Sequence, residues 1–348
     1  MPLKESHESL LPFTSVVIPA LNCADEVDAC VAALRAQDYP PERIQIVVAD
    51  NGSDDGTPEK LRDLGVHTVI RNERGRSRAL NAGLAAATGD IILTTDMSCI
   101  ARPDWVRRVV TCFDDPEVGC VAGDIRMVPD NSNMALRYQM RNRYMSPLPA
   151  FNRRQLPFLP YADGANASFR REVFEEIGGF EESFFKAADV EICYRLLILT
   201  DYKIVFCPDC LMEETGEPDL GTLLHQRYRM GLGAHLLRAR FPEMYLDRQG
   251  EQDFRQTYWS LRSRIGDISR TLGSILRGKR EELEDALVRR LMWRAQRKGE
   301  RHGGDYLREQ AIQPEPMDAQ QIREFIRRMP EILDQRVTMC SPTNPASS

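Results

Sequence analysis

Two carboxylates and an asparagine stand where apolar segments give way to polar ones. Ile91-Ile92-Leu93-Thr94-Thr95 is a run of apolar and β-branched residues that stops at Asp96. The run is too short to cross a membrane and suits a strand buried on both faces. A charge at the carboxyl end of such a strand stands where open α/β sheets bind their ligands. The alternative for Asp96 is a cap on the turn before Ala101-Arg102-Pro103-Asp104. Ile44 to Ala49 ends in the same way at Asp50, before Asn51-Gly52-Ser53-Asp54-Asp55-Gly56-Thr57, and Ser15 to Ala20 gives way to a loop at Asn22. A carboxylate in that position can accept a hydrogen bond from a base or a ribose. Arg71, Arg74, Arg76 and Arg78 make the loop after Ile70 basic. Guanidinium groups so placed would face phosphate oxygens, the alternative being a solvated charged face.

The elements between these loops are expected to bring them together. A helix carrying Val27, Cys30, Val31 and Leu34 on one face runs to Ala36, and a second runs from Pro58 to Leu64 with Thr57 as its N-cap. Val66 to Ile70 is a short strand, and Ala79 to Ala87 a helix of small residues. Alternation of strand and helix at this rhythm implies a mostly parallel sheet with right-handed crossovers and helices on both faces, an α/β fold. The carboxyl ends of parallel strands share one edge, so Asn22, Asp50 and Asp96 should converge on one crevice. Acidic loops beside a basic one suit a nucleoside diphosphate. Neither Gly-x-Gly-x-x-Gly nor a Walker lysine follows the first strand, which argues against a dinucleotide cofactor, a P-loop or a nucleotidyltransferase. Val118 to Gly123 and Ile204 to Cys207 read as further strands. Met134 to Met145 reads as a helix exposing Arg137, Arg141, Arg143 and Tyr144, and Ser146 to Tyr161 as a loop over the crevice.

Composition bounds the alternatives. The 348 residues carry a net charge of -6, which does not suggest a nucleic-acid partner. No apolar run reaches membrane-helix length, and the first residues lack the apolar core of a signal peptide, so a cytoplasmic protein is expected. Nine scattered cysteines fit reduced thiols rather than a disulfide framework. Cys207-Pro208-Asp209-Cys210 has redox or zinc-ligand spacing, but no second pair or nearby histidine completes a metal site in the sequence, which favours a structural reading.

Val17-Ile18-Pro19-Ala20-x-Asn22, Val47-Val48-Ala49-Asp50-Asn51-Gly52-Ser53-x-Asp55-Gly56-Thr57, Ala79-Leu80-Asn81-Ala82-Gly83 and Gly89-Asp90-Ile91-Ile92 occur in this order and spacing. Together they resemble family-two glycosyltransferases of the GT-A fold, in the soluble, non-processive type. The resemblance implies that Pro19, Asn22, Asp50, Asn51, Gly52, Arg76, Arg78, Asn81 and Asp96 bind a nucleotide-sugar donor, with Asp50 on a base that is usually uracil. It also implies an Asp-x-Asp that holds a divalent metal, Mn2+ or Mg2+, on the diphosphate. Here that motif reads Asp96-Met97-Ser98, with a hydroxyl in place of the second carboxylate, a poorer ligand for a hard cation. Glu214, in Met212-Glu213-Glu214-Thr215-Gly216, is the candidate to supply the missing oxygen.

Asp163-Gly164-Ala165-Asn166 resembles the family segment that lines donor sugar and acceptor, with Asp163, Gly164 and Asn166 as its candidates. In Ala187-Ala188-Asp189-Val190-Glu191 the family's general base falls on Asp189, while its usual acidic neighbour is Ala188. One carboxylate near the acceptor hydroxyl is what the transfer needs, and a helix N-terminus favours its negative charge. The alternative for Asp189 is a plain N-cap, and Glu191 is the second candidate base. Gln226 and Arg229, in His225-Gln226-Arg227-Tyr228-Arg229, resemble the Gln-x-x-Arg segment near the leaving diphosphate. The losses at Ser98 and Ala188 leave a catalytically degenerate sugar-nucleotide or glycan-binding protein as the alternative to an enzyme.

The expected organisation is a polar tail over 1–12, a GT-A catalytic domain over 13–240, a helical extension over 241–338 and a disordered end over 339–348. Tyr258 to Leu276, Lys279 to Lys298 and Asp318 to Arg336 read as helices of the extension. Arg289, Arg290, Arg294, Arg297 and Lys298 give the second of these a basic face compatible with peripheral membrane contact. Its acidic start, from Glu281 to Asp285, favours packing on the catalytic domain instead. Without membrane helices to form an export channel, addition of a single sugar to an unidentified hydroxyl acceptor is expected.

Overall fold

A computed structural model describes residues 11–70, 74–152, 156–246 and 279–340. Arg71, the expected helix from Tyr258 to Leu276, and most of both expected tails lie outside the described residues. In chain order come β1 (Thr14–Ala20), α1 (Val27–Arg35), β2 (Ile44–Asp50), α2 (Thr57–Asp63), β3 (His67–Ile70), α3 (Arg76–Ala86), β4 (Ile91–Thr95) and β5 (Cys99–Ala101). There follow α4 (Trp105–Cys112), β6 (Val118–Met127), α5 (Met134–Arg141), β7 (Asn166–Arg170), α6 (Arg171–Ile177), α7 (Ala188–Leu199) and β8 (Lys203–Glu214). The last are α8 (Leu220–Arg240), α9 (Arg280–Glu309), α10 (Ala319–Arg336) and β9 (Val337–Met339). No described helix is long and apolar enough to cross a membrane.

The chain forms two compact units, one of residues 1–128, 145–215 and 328–348, the other of 129–144 and 216–327. The first contains a single sheet in the order β3-β2-β1-β4-β7-β6-β8-β5, with β9 added beside β8. Strands β3, β2, β1 and β4 are parallel, as the strand–helix rhythm requires. β7 then runs antiparallel between β4 and β6, which reverses direction in mid-sheet. Every residue of β4 is buried, as expected for a strand covered on both faces. One continuous core joins Val16, Ile18 and Leu93 of the sheet to Val27, Val31 and Leu34 of α1 and to Trp105 and Val109 of α4. Each such side chain contributes roughly 2 kcal/mol by leaving water.

Three strands were not legible in the sequence. β5 and β9 have three residues each, and Asn166-Ala167-Ser168-Phe169-Arg170 lacks an apolar pattern. β8 extends well beyond the expected Cys207 because its pairing with β6 resumes after a break. Opposite Gly123 stands Cys207, but opposite Asp124 stands Leu211. Residues 208–210 are therefore extra, a bulge in β8.

The described part of the second unit is helical. Ala135 and Tyr138 of α5, Leu223 of α8, and Val288 and Met292 of α9 form its small core. The arginines of α5 are not free on the surface, as expected from sequence, but are used in packing. Arg137 donates to both oxygens of Glu284 at 3.2 Å each, and Arg141 pairs with Asp285 at 2.5 Å. Glu284 and Asp285, within the acidic start of α9, are thereby engaged. A Cβ on Gly231 of α8 would stand 2.1 Å from the Gln296 carbonyl oxygen of α9, so glycine there permits close approach of the two backbones. The outer face of α9 keeps Leu287, Trp293, Arg289, Arg290 and Arg294 exposed.

Candidate active site

The sheet register places Asp50 opposite Ala20 of β1. It pairs Val17 with Thr94 on the other side of β1, so Asp96 falls level with Pro19. β1 lies between the two carboxylates, which puts them about 10 Å apart, two strand spacings, on the carboxyl edge of the sheet. Asp50 is almost completely buried. Its Oδ2 accepts from the Gly52 and Ser53 N–H groups at 3.2 Å each, where Gly52 has the positive φ of 84° that this turn requires. Its Oδ1 is buried with no hydrogen-bond partner among the described residues. Buried acceptors in folded proteins normally have donors, so this oxygen marks a place for a donor from outside the chain.

Asn51 links this turn to the basic loop. Its Oδ1 accepts from the Gly75 N–H at 3.0 Å, which fixes the start of α3 and hence Arg76. The Arg76 guanidinium reaches Asp96, with Nη1 2.5 Å from Oδ1. Burial alone would make Arg76 easier to deprotonate, but the charges of Asp96, Asp189 and Asp163 more than offset it. The same guanidinium abuts Gly164, where a Cβ would stand 3.2 Å from Arg76 Nη2 and 3.5 Å from Asp189 Cβ. Asp189 lies in the first turn of α7, entered through Ala187 at a φ of 64°, and its Oδ2 accepts from the Gly164 N–H at 3.2 Å. Asp96, Arg76, Gly164 and Asp189 are thus contiguous, and Asp163 completes the cluster.

Asp163 has its carboxyl pushed up to about 7, first by burial and then by the charges of Asp189 and Asp96. A carboxyl raised above its unfolded range contributes most to stability below the unfolded value. The contribution is lost as pH rises through the folded one, here between about 4 and 7, at no more than about 1.4 kcal/mol per pH unit. The Asp163→Asn variant is therefore expected to unfold at a higher temperature than the unaltered chain at pH 8 and to lose that advantage by pH 4. Unfolding curves across that range, without ligand, check this; a constant difference between the two would contradict it.

The remaining candidates divide. Ser98 donates to Glu214 Oε1 at 3.4 Å, so a carboxylate does stand beside the hydroxyl that interrupts Asp-x-Asp. Asn22, at a φ of 51°, receives the Asp54 N–H on its Oδ1 at 3.0 Å and donates its own N–H to Ser53 Oγ at 2.9 Å. It therefore fastens the loop after β1 to the turn after β2. Pro19 sits in β1 beside Ala49.

Two expectations need correction. Asn166 does not line the crevice: it is buried, accepts from the Trp105 indole at 2.9 Å, and donates to the Asp124 and Cys210 carbonyls. Glu191 is wholly buried and paired with Arg195 at 2.8 Å one helical turn on, which leaves it no access to an acceptor. Asn81 holds the loop at Phe180, donating to its carbonyl and accepting its N–H at 2.8 Å each. Arg78 pairs with Glu182 at 3.4 Å, and Arg76 is directed at the carboxylates. Gln226 and Arg229 lie on α8 of the second unit, where Gln226 accepts from the Tyr144 hydroxyl at 2.6 Å. Sequence reading passed over Glu26. Its carboxyl is raised by burial and by the charges of Asp25, Asp96 and Asp55, and the signal was the acidic pair closely following β1.

Residues 15–178 match the model of glycosyl transferase family 2. The glycosyltransferase AglE of Haloferax volcanii is 30% identical over 234 residues, which cover 65% of this chain and 74% of that protein. The pre-mycofactocin glycosyltransferase of Mycobacterium tuberculosis is 29% identical over 194 residues, 53% of this chain and 38% of the relative. The chain thus spans well under two thirds of that second protein. Among solved structures, the mannosyltransferase PcManGT from Pyrobaculum calidifontis, in complex with GDP-Man and Mn2+, superposes with a TM-score of 0.61 at 20% identity. The match covers 84% of this chain and 88% of that one, and the likeness is one of fold.

Proposed function

From the premise that the chain belongs to glycosyl transferase family 2 and has the GT-A fold, we propose that it is an inverting enzyme. It moves a sugar from a nucleotide-diphosphate donor, UDP in preference to GDP, to a hydroxyl acceptor. The observation that carries this is the Arg76 side chain. One end of its guanidinium holds Asp96 at 2.5 Å, and the other abuts Gly164, whose N–H binds Asp189 at 3.2 Å. A cation for a departing diphosphate and a carboxylate for an arriving hydroxyl are therefore about one side chain apart.

In the proposed transfer the acceptor oxygen attacks the anomeric carbon, and its proton passes to the Asp189 carboxylate. The bond from that carbon to the diphosphate oxygen breaks, and the electron pair leaves with the diphosphate, whose charge Arg76 meets. A single displacement of this kind inverts the anomeric configuration. Asp50 Oδ1 receives the N–H of the base, and the Gly52 turn brings backbone close to it.

The oxygen donors Asp96, Ser98 and Glu214 suit a hard divalent cation, and the contact of Ser98 with Glu214 supports Glu214 as the replacement carboxylate. Bound there, Mn2+ or Mg2+ would add positive charge at the diphosphate. Glu214→Ala is expected to raise the Mn2+ concentration giving half-maximal turnover about tenfold or more. Metal titrations of the two proteins check it, and unchanged metal dependence would remove Glu214 from the site.

The exposed Leu287 and Trp293 among the arginines of α9 support peripheral contact with an anionic lipid surface. The reaction is tested by incubating a panel of UDP- and GDP-sugars with and without Mn2+, GDP being included because PcManGT was solved with GDP-Man. Release of nucleoside diphosphate from one donor is expected. Tight nucleotide binding with no turnover of any donor would mean a binding protein, and pyrophosphate-dependent chemistry a nucleotidyltransferase.

A further inference from the structure

The break in β8 has a chemical consequence away from the crevice. Cys207 immediately precedes the three extra residues of the bulge and Cys210 is the last of them, and both thiols are buried. In an unbroken strand, residues three apart point to opposite faces. Here the bulge gathers them with Cys112, the last residue of α4, so that the three sulfurs lie within 4.8 Å of one another. A fourth arrives from the far end of the chain. β9 runs parallel to β8 with Met339 opposite Phe206, and the Cys340 N–H donates to the Phe206 carbonyl at 2.8 Å. This register places Cys340 beside Cys207, and its sulfur stands 3.6 Å from that of Cys112.

We propose that Cys112, Cys207, Cys210 and Cys340 form a closed tetrathiolate zinc site that fastens β9 to β8 and α4. Thiolates about 2.3 Å from a tetrahedral zinc stand about 3.8 Å from one another, close to the Cys112–Cys340 separation. Soft sulfur ligands select zinc over the hard cation of the crevice, whose candidate ligands are all oxygens. The surroundings are organised as an outer shell requires. Asn166, bonded to the Trp105 indole, donates to the Cys210 carbonyl at 2.9 Å and so pins the bulge. A Cβ on Gly123 would fall 2.4 Å from that same carbonyl, so glycine there makes room for the bulge. Four ligands leave no open position, so the role is to hold structure. The local Cys-x-x-Cys spacing gave half of the ligand set, and the other half, Cys112 and Cys340, lies far from it along the chain on either side.

The full chain, purified with reductant and passed through metal-free buffer, is expected to carry one zinc per molecule by elemental analysis. Cys207→Ser and Cys340→Ser should each reduce this to a small fraction, while Cys30→Ala, elsewhere in the core, should leave it intact. Stripping the zinc should lower the unfolding midpoint by about 5 °C or more. Should the serine variants fail to fold, the unaltered chain decides the question. After stripping, it should bind one equivalent of Co2+ with the charge-transfer and red-region bands of tetrahedral thiolate coordination. Absence of both zinc and the cobalt bands, with the four thiols reacting freely, would overturn the proposal. So would a disulfide among them in place of metal, or full metal retention by Cys340→Ser.

Discussion

Asp189→Asn is expected to lower kcat about a thousandfold while changing the Kd for the donor nucleotide by less than about threefold. General-base catalysis by a placed carboxylate contributes 10²–10⁴-fold. The amide oxygen of the variant can still accept the Gly164 N–H that now binds Oδ2 at 3.2 Å, so the loop should keep its place. What disappears is the capacity to take the acceptor's proton. The buried pairing of Glu191 with Arg195 removes that carboxylate as a substitute base. Steady-state turnover and a separate nucleotide titration check the two halves of the expectation. Retention of more than a tenth of the turnover would make Asp189 no more than a cap, and a parallel loss of nucleotide binding would mean that the substitution disturbs the crevice.

Asp50→Asn is expected to weaken UDP binding by one to two orders of magnitude, with kcat at saturating donor far less affected. Asparagine can keep an oxygen on the Gly52 and Ser53 N–H groups and so preserve the turn. It then turns a donor NH2 toward the base in place of the buried Oδ1 acceptor. Losing one charge-assisted hydrogen bond costs roughly 1.5–3 kcal/mol, and setting two donors against each other adds to that. Calorimetric titration of UDP into both proteins measures the ratio. Equal affinities would move the base away from Asp50.

The parts of this protein that could be read from sequence are those fixed by local pattern. The apolar runs ending at Asp50 and Asp96 became β2 and β4, and their parallel pairing through β1 put both carboxylates on one edge. The parts that could not be read depend on side chains meeting across the chain. Asn166 and Glu191 stand in segments that match a family pattern, and pattern alone does not distinguish a residue facing a ligand from one facing the core. Burial does: Asn166 is held by Trp105, and Glu191 by Arg195. The same limit hid the cysteine cluster. Cys340 meets Cys207 only because β9 adds to β8 in a particular register, and a strand of three residues has almost no sequence signature. Ser98, by contrast, was legible as a departure, and the structure supplied its carboxylate neighbour from the far end of β8.

The most direct test is a crystal structure of the chain soaked with UDP and Mn2+. The uracil should lie against Asp50, with the diphosphate spanning β1 to reach Arg76, Asp96 and Glu214, and the free side of its terminal phosphate turned toward Asp189. A nucleotide bound on any other face of the sheet, or with its diphosphate turned away from Arg76, would contradict the account.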